Sequence, residues 1–386
     1  MMIRPLSLAR TAPIRFNATP IASLTSSFSL LHHHTTTQKR HACQIHHPTK
    51  LGQLRAKLRG FGEGHIELDF NHSTGLALLT LHNPEKHNAL TGKMMAELAD
   101  CVDLLEELIV PSSTVSVSSM ALGSSNDAQT RPVPALHPES KLVLKNAGQY
   151  VTKLDHEQVS LLDGLVGIIV TGADQKSYCA GLDLSAAKTT LLTPQAGSEM
   201  SALMVSTLTR FMRLPIITIS AIEKAAIGGG AEMTTFCDHR CLAEHAKVQF
   251  VQTQMGVVPG WGGASRLLGI VSRSHALRLL GAAEPIRGGL EAHQIGFSQV
   301  TAPAGKAVEK ATEYMQSYVW ERAPSKESEG SRRCVPAVRA MKQIVSCGLD
   351  DDRIERVSGL EKDLFKQLWG GPDNLARVAA ASSKKK

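Results

Sequence analysis

Residues 215–263 read PIITISAIEKAAIGGGAEMTTFCDHRCLAEHAKVQFVQTQMGVVPGWGG, and they hold the groups best suited to chemistry. Three consecutive glycines, Gly228, Gly229 and Gly230, are followed by Ala231, Glu232 and Met233, which open a helix-like stretch. Glycines between a strand and a helix let the backbone turn sharply and bring N–H groups close to a ligand, and the helix N-terminus adds positive potential. The same turn can also serve tight packing alone. Upstream, GLVGIIVTGADQKSYCAGLDL at 164–184 repeats the plan: an apolar strand, a turn, then Ala180-Gly181-Leu182-Asp183 entering a second helix. Two strand ends that each offer a backbone N–H form an oxyanion hole, where negative charge can develop on a carbonyl oxygen.

The elements that must position these turns are legible from composition and period. Ile216, Ile217, Ile219 and Ile222 form a β-branched run expected to be a buried strand leading into the glycines. From His65, IELDFNHSTGLALLTLHNP alternates as two short strands joined by a turn at 73–75. His87-Asn88-Ala89-Leu90 follows, then a helix with Met94, Met95, Leu98, Cys101, Val102, Leu105 and Leu108 on its apolar positions. Met200, Leu203, Met204, Leu208 and Phe211 mark another helix, their spacing being that of core residues. Past Gly263 an amphipathic helix pair is expected at 265–286. Helical segments at 303–322, 334–347 and 351–369 then lead to a lysine-ended terminus. Residues 111–158 break the pattern. Their Ser- and Pro-rich stretch PSSTVSVSSMALGSSNDAQTRPVPALHPES reads as a flexible insertion with no chemistry of its own.

The chain has 386 residues, 42% of them hydrophobic and 20% charged, enough for one sizeable core with extras. Its net charge of +7 would suit a nucleic-acid partner, but the charge is misplaced for one. Nine basic residues and no acidic one precede Glu63, and those nine exceed the whole excess, leaving the remainder slightly acidic. An acid-free N-terminus rich in Arg, Ser and Thr reads as a mitochondrial transit peptide over 1–60, with cleavage near Lys39-Arg40. The matrix is then the expected compartment and the cytosol the alternative. No run of about 18 apolar residues occurs, so no membrane span is expected. Seven scattered cysteines suit a reducing compartment, and Cys237 and Cys241 read as core thiols because no zinc-spaced partner accompanies them. No metal is expected.

Five segments in fixed order, HNAL at 87–90, IIVTGADQKSYCAGLDL, AAIGGGAE, CDHRCLAEHAKVQF and MGVVPGWGG, resemble the crotonase (enoyl-CoA hydratase/isomerase) superfamily. The combination of GGGAE with QFVQTQMGVVPGWGG is most similar to the ethylmalonyl-CoA and methylmalonyl-CoA decarboxylases within it. The resemblance implies an α/β crotonase fold of repeated ββα units, with a core over 63–300 and a C-terminal helical region over 301–386. It also implies homotrimers or homohexamers, with the C-terminal helices packed on a neighbouring subunit and shaping the acyl pocket. The implied substrate is an acyl-CoA thioester whose carbonyl takes the N–H groups of Leu182 and Gly229. Its CoA portion would lie against Ala89, and Ala180, Gly181, Asp183, Gly228, Gln252 and Trp261 would line the rest. No separate cofactor is implied.

Hydratases of the family carry one carboxylate three residues after the hole glycine and a second downstream. Here the first position is Glu232 and the second is Gln252, which cannot exchange protons. One carboxylate suits an isomerase, or a decarboxylase in which CO2 leaves unaided and only the enolate needs a proton. Gln252 could hydrogen-bond a malonyl carboxylate, and Trp261 would narrow the pocket for a short, branched acyl group. Plainer roles stand beside these. Glu232 could pair near a helix start, Asp183 could be an N-cap, Trp261 could fill the core, and Asp238 and Arg240 could form an ion pair. His239 and His245 read as polar surface or packing residues. The readings are therefore a carboxy-acyl-CoA decarboxylase, an enoyl-CoA hydratase or isomerase, and, from a different class, an RNA-binding relative on the same scaffold. The last lacks a basic face beyond the N-terminal segment.

Overall fold

The computed structural model describes residues 48–109, 142–146, 149–151, 159, 162–175, 177–188, 191–321, 331–347 and 351–383. The segment expected as a leader lies outside these residues up to position 47. From Pro48 the chain is part of the fold. Helix α1 (Pro48–Leu58) buries Leu54 and Leu58, and its Arg55 and the following Arg59 pair with Asp100 at 2.9 and 2.6 Å. Described, packed structure thus begins before residue 60, inside the stretch expected as leader. The charge run that suggests a leader includes two arginines whose partners lie some 40 residues on.

Eight strands make the main sheet. β1 (His65–Asn71) and β2 (Leu76–His82) pair antiparallel, as their alternation and the turn between them predict. β2 runs parallel to β5 (Gly167–Gly172), β5 to β6 (Ile217–Ile222), β6 to β8 (His239–Ala243) and β8 to β11 (Val300–Ala302). With β3 (Val143–Asn146) and β4 (Gln149–Val151) at one edge, the sheet order is β11-β8-β6-β5-β2-β1-β3-β4. Every residue of β5 and β6 is buried, which is why these strands read as unbroken apolar runs rather than alternating ones. Helix α2 (Gly92–Ile109) and, after the short α3 (Leu184–Ala187), helix α4 (Pro194–Arg213) pack on this sheet with Met94, Leu98, Met204 and Leu208 inward.

The 111–158 insertion is not wholly loop. β3 (Val143–Asn146) joins β1 in parallel, and β4 (Gln149–Val151) turns back on it, extending the sheet edge. Leu142 and Leu144 supply buried apolar contacts that the Ser/Pro-rich composition around them masks. Residues 110–141 and 152–158 lie outside the described residues.

Between the isoleucine strand and the glycines the chain changes sheets. β6 ends at Ile222 and β7 (Ala225–Ile227) belongs to a small second sheet of order β10-β9-β7, with β9 (Lys247–Gln249) and β10 (Ile286–Arg287). Helices α7 (Arg273–Gly281) and α8 (Gly288–Gln294) precede the C-terminal region, which is helical as expected. It comprises α9 (Ala307–Val319), α10 (Val335–Cys347), α11 (Asp351–Leu368) and an additional α12 (Pro372–Ser383). Within the chain, α11 lies on α4 and on α6 (Gly263–Leu267). Among the described residues no helix is long and apolar enough to cross a membrane.

Candidate active site

The first donor segment hangs between the two sheets by its backbone. Tyr178 and Cys179 both donate to Ala225 O, Ala180 donates to His87 O, and Gly181 N reaches Cys179 Sγ at 3.4 Å. Leu90 N then donates to Gly181 O at 2.7 Å and Asp183 N to Leu90 O at 2.8 Å, a parallel bridge between Leu90 and Leu182. Along 178–183 every N–H has a protein acceptor except that of Leu182, among the described residues. Gly181 holds φ +89°, a value that a side chain strains, and a Cβ there would sit 2.7 Å from Ile227 O and 3.1 Å from Gly229 N. The two donor segments therefore touch at Gly181.

The second donor segment is a helix start. Gly228, at φ +55°, donates to Gln249 O, and α5 (Gly229–Thr234) begins immediately after it. As the first residue of the helix, Gly229 has an N–H with no intrahelical acceptor. The site residues Ala180, Gly181, Leu182, Gly228 and Gly229 are thus brought together.

Glu232 lies one turn further along, 2% exposed. Its Oε1 accepts from Gln252 Nε2 at 2.8 Å and Gly260 N at 3.2 Å, and its Oε2 from Trp261 N at 2.8 Å and Gly263 N at 3.0 Å. Four donors occupy what two carboxylate oxygens can accept in good geometry. Burial raises the Glu232 carboxyl above the usual range, and the three backbone bonds and Gln252 pull it back. The Trp261 ring, 3% exposed, is laid over Gly229 so closely that a Cβ there would overlap it. Gln252 is buried, and its Oε1 has no protein partner among the described residues.

The remaining predicted residues frame this centre. Asp183 Oδ1 accepts from Ser185 N at 2.9 Å, the geometry of an N-cap, while its Oδ2 takes Lys86 Nζ at 2.8 Å. Ala89 donates to Lys86 O and accepts from Asn83 Nδ2, so its peptide is fixed on both sides. Asn88, beside it, ties the turn to the rest of the fold. Fully buried at φ +56°, it accepts from Asn83 N and donates to Ala173 O and Ser177 O. Its residue type and its place in HNAL were the only sequence signal of that role.

The expected Asp238–Arg240 ion pair does not form between side chains. Arg240 gives its donors to the carbonyls of Phe297, Thr234, Cys237 and Asp238, whereas the Asp238 carboxylate takes Lys342 and the N–H and hydroxyl of Thr218. Residues two apart in an extended stretch share a face, but Asp238 stands just before β8 and a buried guanidinium is better satisfied by several carbonyls; burial lowers it to about 10. His239 is held by Tyr318 and Tyr314 hydroxyls, and His245 is exposed beside Glu244. Cys237 and Cys241 are buried free thiols.

The enoyl-CoA hydratase/isomerase family profile matches residues 160–369. The chain belongs to the enoyl-CoA hydratase/isomerase family. Ethylmalonyl-CoA decarboxylase of Mus musculus is 32% identical over 330 residues, which cover 85% of this chain and 80% of the mouse protein. The Xenopus laevis ethylmalonyl-CoA decarboxylase is 30% identical over 335 residues, 86% of this chain and 88% of that one. Among solved structures, an enoyl-CoA hydratase/isomerase from Xanthobacter autotrophicus Py2 superposes with a TM-score of 0.59 at 18% identity, over 82% of this chain and 93% of that one. The structural likeness carries the crotonase fold.

Proposed function

We propose that this chain decarboxylates ethylmalonyl-CoA or methylmalonyl-CoA. One observation carries the reading: the only buried carboxylate on the hole helix has its lone pairs filled, and its would-be partner is the amide Gln252. Hydration needs a base that takes a proton from water, and neither residue is free to be that base. Decarboxylation needs no base. The bond between Cα and the carboxylate breaks, CO2 leaves, and its electron pair passes into the thioester as an enolate. The negative oxygen then lies where the N–H groups of Leu182 and Gly229 converge, and a proton adds to Cα to give the saturated acyl-CoA. A preorganised donor of this kind is worth about 10²–10³ in rate.

Glu232 keeps the 260–263 backbone and Trp261 in place beside the hole, and in that way orients the face on which a proton from water reaches the enolate. The neutral amide of Gln252 spares a malonyl carboxylate the repulsion that a second glutamate would impose. Trp261 limits the acyl group to a short branch. The names of the Mus musculus and Xenopus laevis relatives support the substrate class. The enzyme needs no cofactor besides the CoA of its substrate, works as a homotrimer or homohexamer, and acts in the mitochondrial matrix.

The deciding experiment incubates purified protein with ethylmalonyl-, methylmalonyl- and crotonyl-CoA. Release of CO2 from the first two is expected, and fast hydration of crotonyl-CoA with the malonyl thioesters untouched would sink the proposal. Glu232→Gln is expected to slow CO2 release and to scramble the configuration of retained label at Cα. In source cells the mature chain should begin well after Met1 and fractionate with mitochondria. An intact Met1 on cytosolic protein would overturn that part.

A further inference from the structure

The 260–265 segment is held from two sides. Glu232 takes the N–H groups of Gly260, Trp261 and Gly263, and Glu361, from the middle of α11, takes those of Gly262 at 3.0 Å and Ser265 at 3.3 Å. Glu361 is 6% exposed and lies about 100 residues further along the chain. Two neighbours on α11 reinforce it. Ser358 Oγ meets Ser265 Oγ at 3.1 Å, and Phe365 abuts Gly260 so closely that a Cβ there would come within 2.5 Å of the ring. Consecutive backbone donors are thus divided between two buried carboxylates, one from the hole helix and one from the C-terminal region. Trp261, the residue laid over Gly229, sits between the two anchors.

We propose that Glu361 is a positioning residue of the active site: by holding Gly262 and Ser265 it fixes Trp261 against Gly229, so that α11 sets the width of the acyl pocket. Without Glu361, two buried N–H groups lose their acceptor and Glu232 alone restrains the segment, which then samples other arrangements. The Arg266 guanidinium, buried over the Phe236 ring and bonded to Gly262 O and Thr209 Oγ1, is the charged group facing this pair. Burial and the charge of Glu232 both push the Glu361 carboxyl up, to about 8. A carboxyl held there at such cost is consistent with a role that an apolar residue cannot fill.

The activity arm of the test rests on the decarboxylase reading, and the exchange arm does not. Wild type, Glu361→Gln and Glu361→Ala are compared in full-length protein. Amide hydrogen exchange at 260–265 should quicken by about tenfold or more in Glu361→Ala, with the strands of the main sheet unchanged. Glu361→Gln, which keeps one acceptor oxygen, should lie between. With ethylmalonyl- and 2-butylmalonyl-CoA as probes, kcat for the smaller substrate should fall, while the preference for it over the larger one should shrink by about tenfold as Trp261 loosens. Wild-type exchange at 260–265 together with an unchanged preference in Glu361→Gln would overturn the proposal, even if Glu361→Ala fails to fold. A wild type that turns over neither thioester would refute the decarboxylase reading, and the exchange arm would still decide the role of Glu361.

Discussion

The two segments that present N–H groups to the candidate hole do the same task by different physics. The 178–183 segment is fixed by backbone bonds to two other segments, 87–90 and 225–227. The 228–232 segment is fixed by a helix start, an indole ring and a buried carboxylate with four donors. A backbone lattice tolerates side-chain exchange and fails when a Cβ enters it. A side-chain anchor fails when its chemistry changes and can be re-fitted by a second change. Substitutions should separate the two accordingly.

The largest effect is expected from the hole glycines. Gly181→Ala and Gly229→Ala keep every N–H, but the added Cβ pushes a neighbouring donor out of line, so each should lower kcat/KM by about 10²–10³, as the loss of one donor does. Only the second should recover when Trp261 is also made Phe, because the obstacle there is a ring, whereas at Gly181 it is Ile227 O at 2.7 Å and a φ of +89°. Equal rescue of both would erase the distinction.

Gln252→Glu comes next and attacks the carboxylate-anchored side alone. It sets a second carboxylate where an amide now donates to Glu232 at 2.8 Å. Binding of a malonyl-type thioester should weaken by about 1–3 kcal/mol, and crotonyl-CoA hydration should rise if it changes at all. Steady-state kinetics on both substrates would register the shift, and unaltered decarboxylation would count against the arrangement.

Asn88→Ala attacks the lattice side. It orphans Asn83 N, Ala173 O and Ser177 O in a fully buried place, at about 1–3 kcal/mol per group. Denaturant unfolding should show the loss. A change below 1 kcal/mol, on the scale of an ordinary surface substitution, would mean that the turn is held elsewhere.

A pH profile of stability comes fourth. Burial raises Glu361 from 4.5 to about 8 and Glu97 from 4.5 to about 7 in the folded chain, and raises Glu232 as well. The folded state therefore binds protons more tightly than the unfolded one. Its stability is full below the unfolded value and is lost progressively as pH climbs from about 4.5 to about 8. Glu361→Gln should flatten that fall in a thermal-melt series, and an unchanged slope would place the proton uptake elsewhere. The smallest effect belongs to Lys86→Met. It breaks a pair whose ammonium is half-exposed, while the buried Asp183 keeps its bonds from Ser185, and should alter stability by less than about 1 kcal/mol.

Much of this molecule could be read directly from its chain. The glycines at 181 and 228–230, Leu182 and the strands before them act through local backbone geometry, and residue type fixes that geometry at short range. The C-terminal helices were equally plain, since apolar periodicity is a property of each segment by itself. Other features depended on which distant groups meet. Arg55 and Arg59 looked like leader charges until Asp100 was seen beside them. Leu142 and Leu144 looked like loop until the edge of β1 received them. Glu232 has the same identity whether it carries a proton or holds a loop, and the four donors around it come from residues 20 to 31 positions away. Glu361 left no mark in the sequence at all, because a glutamate in the middle of an amphipathic helix is ordinarily solvated. Only the packing of α11 over the 260–265 backbone buries that carboxylate among unpaired N–H groups, and burial is what turns a common surface residue into an anchor.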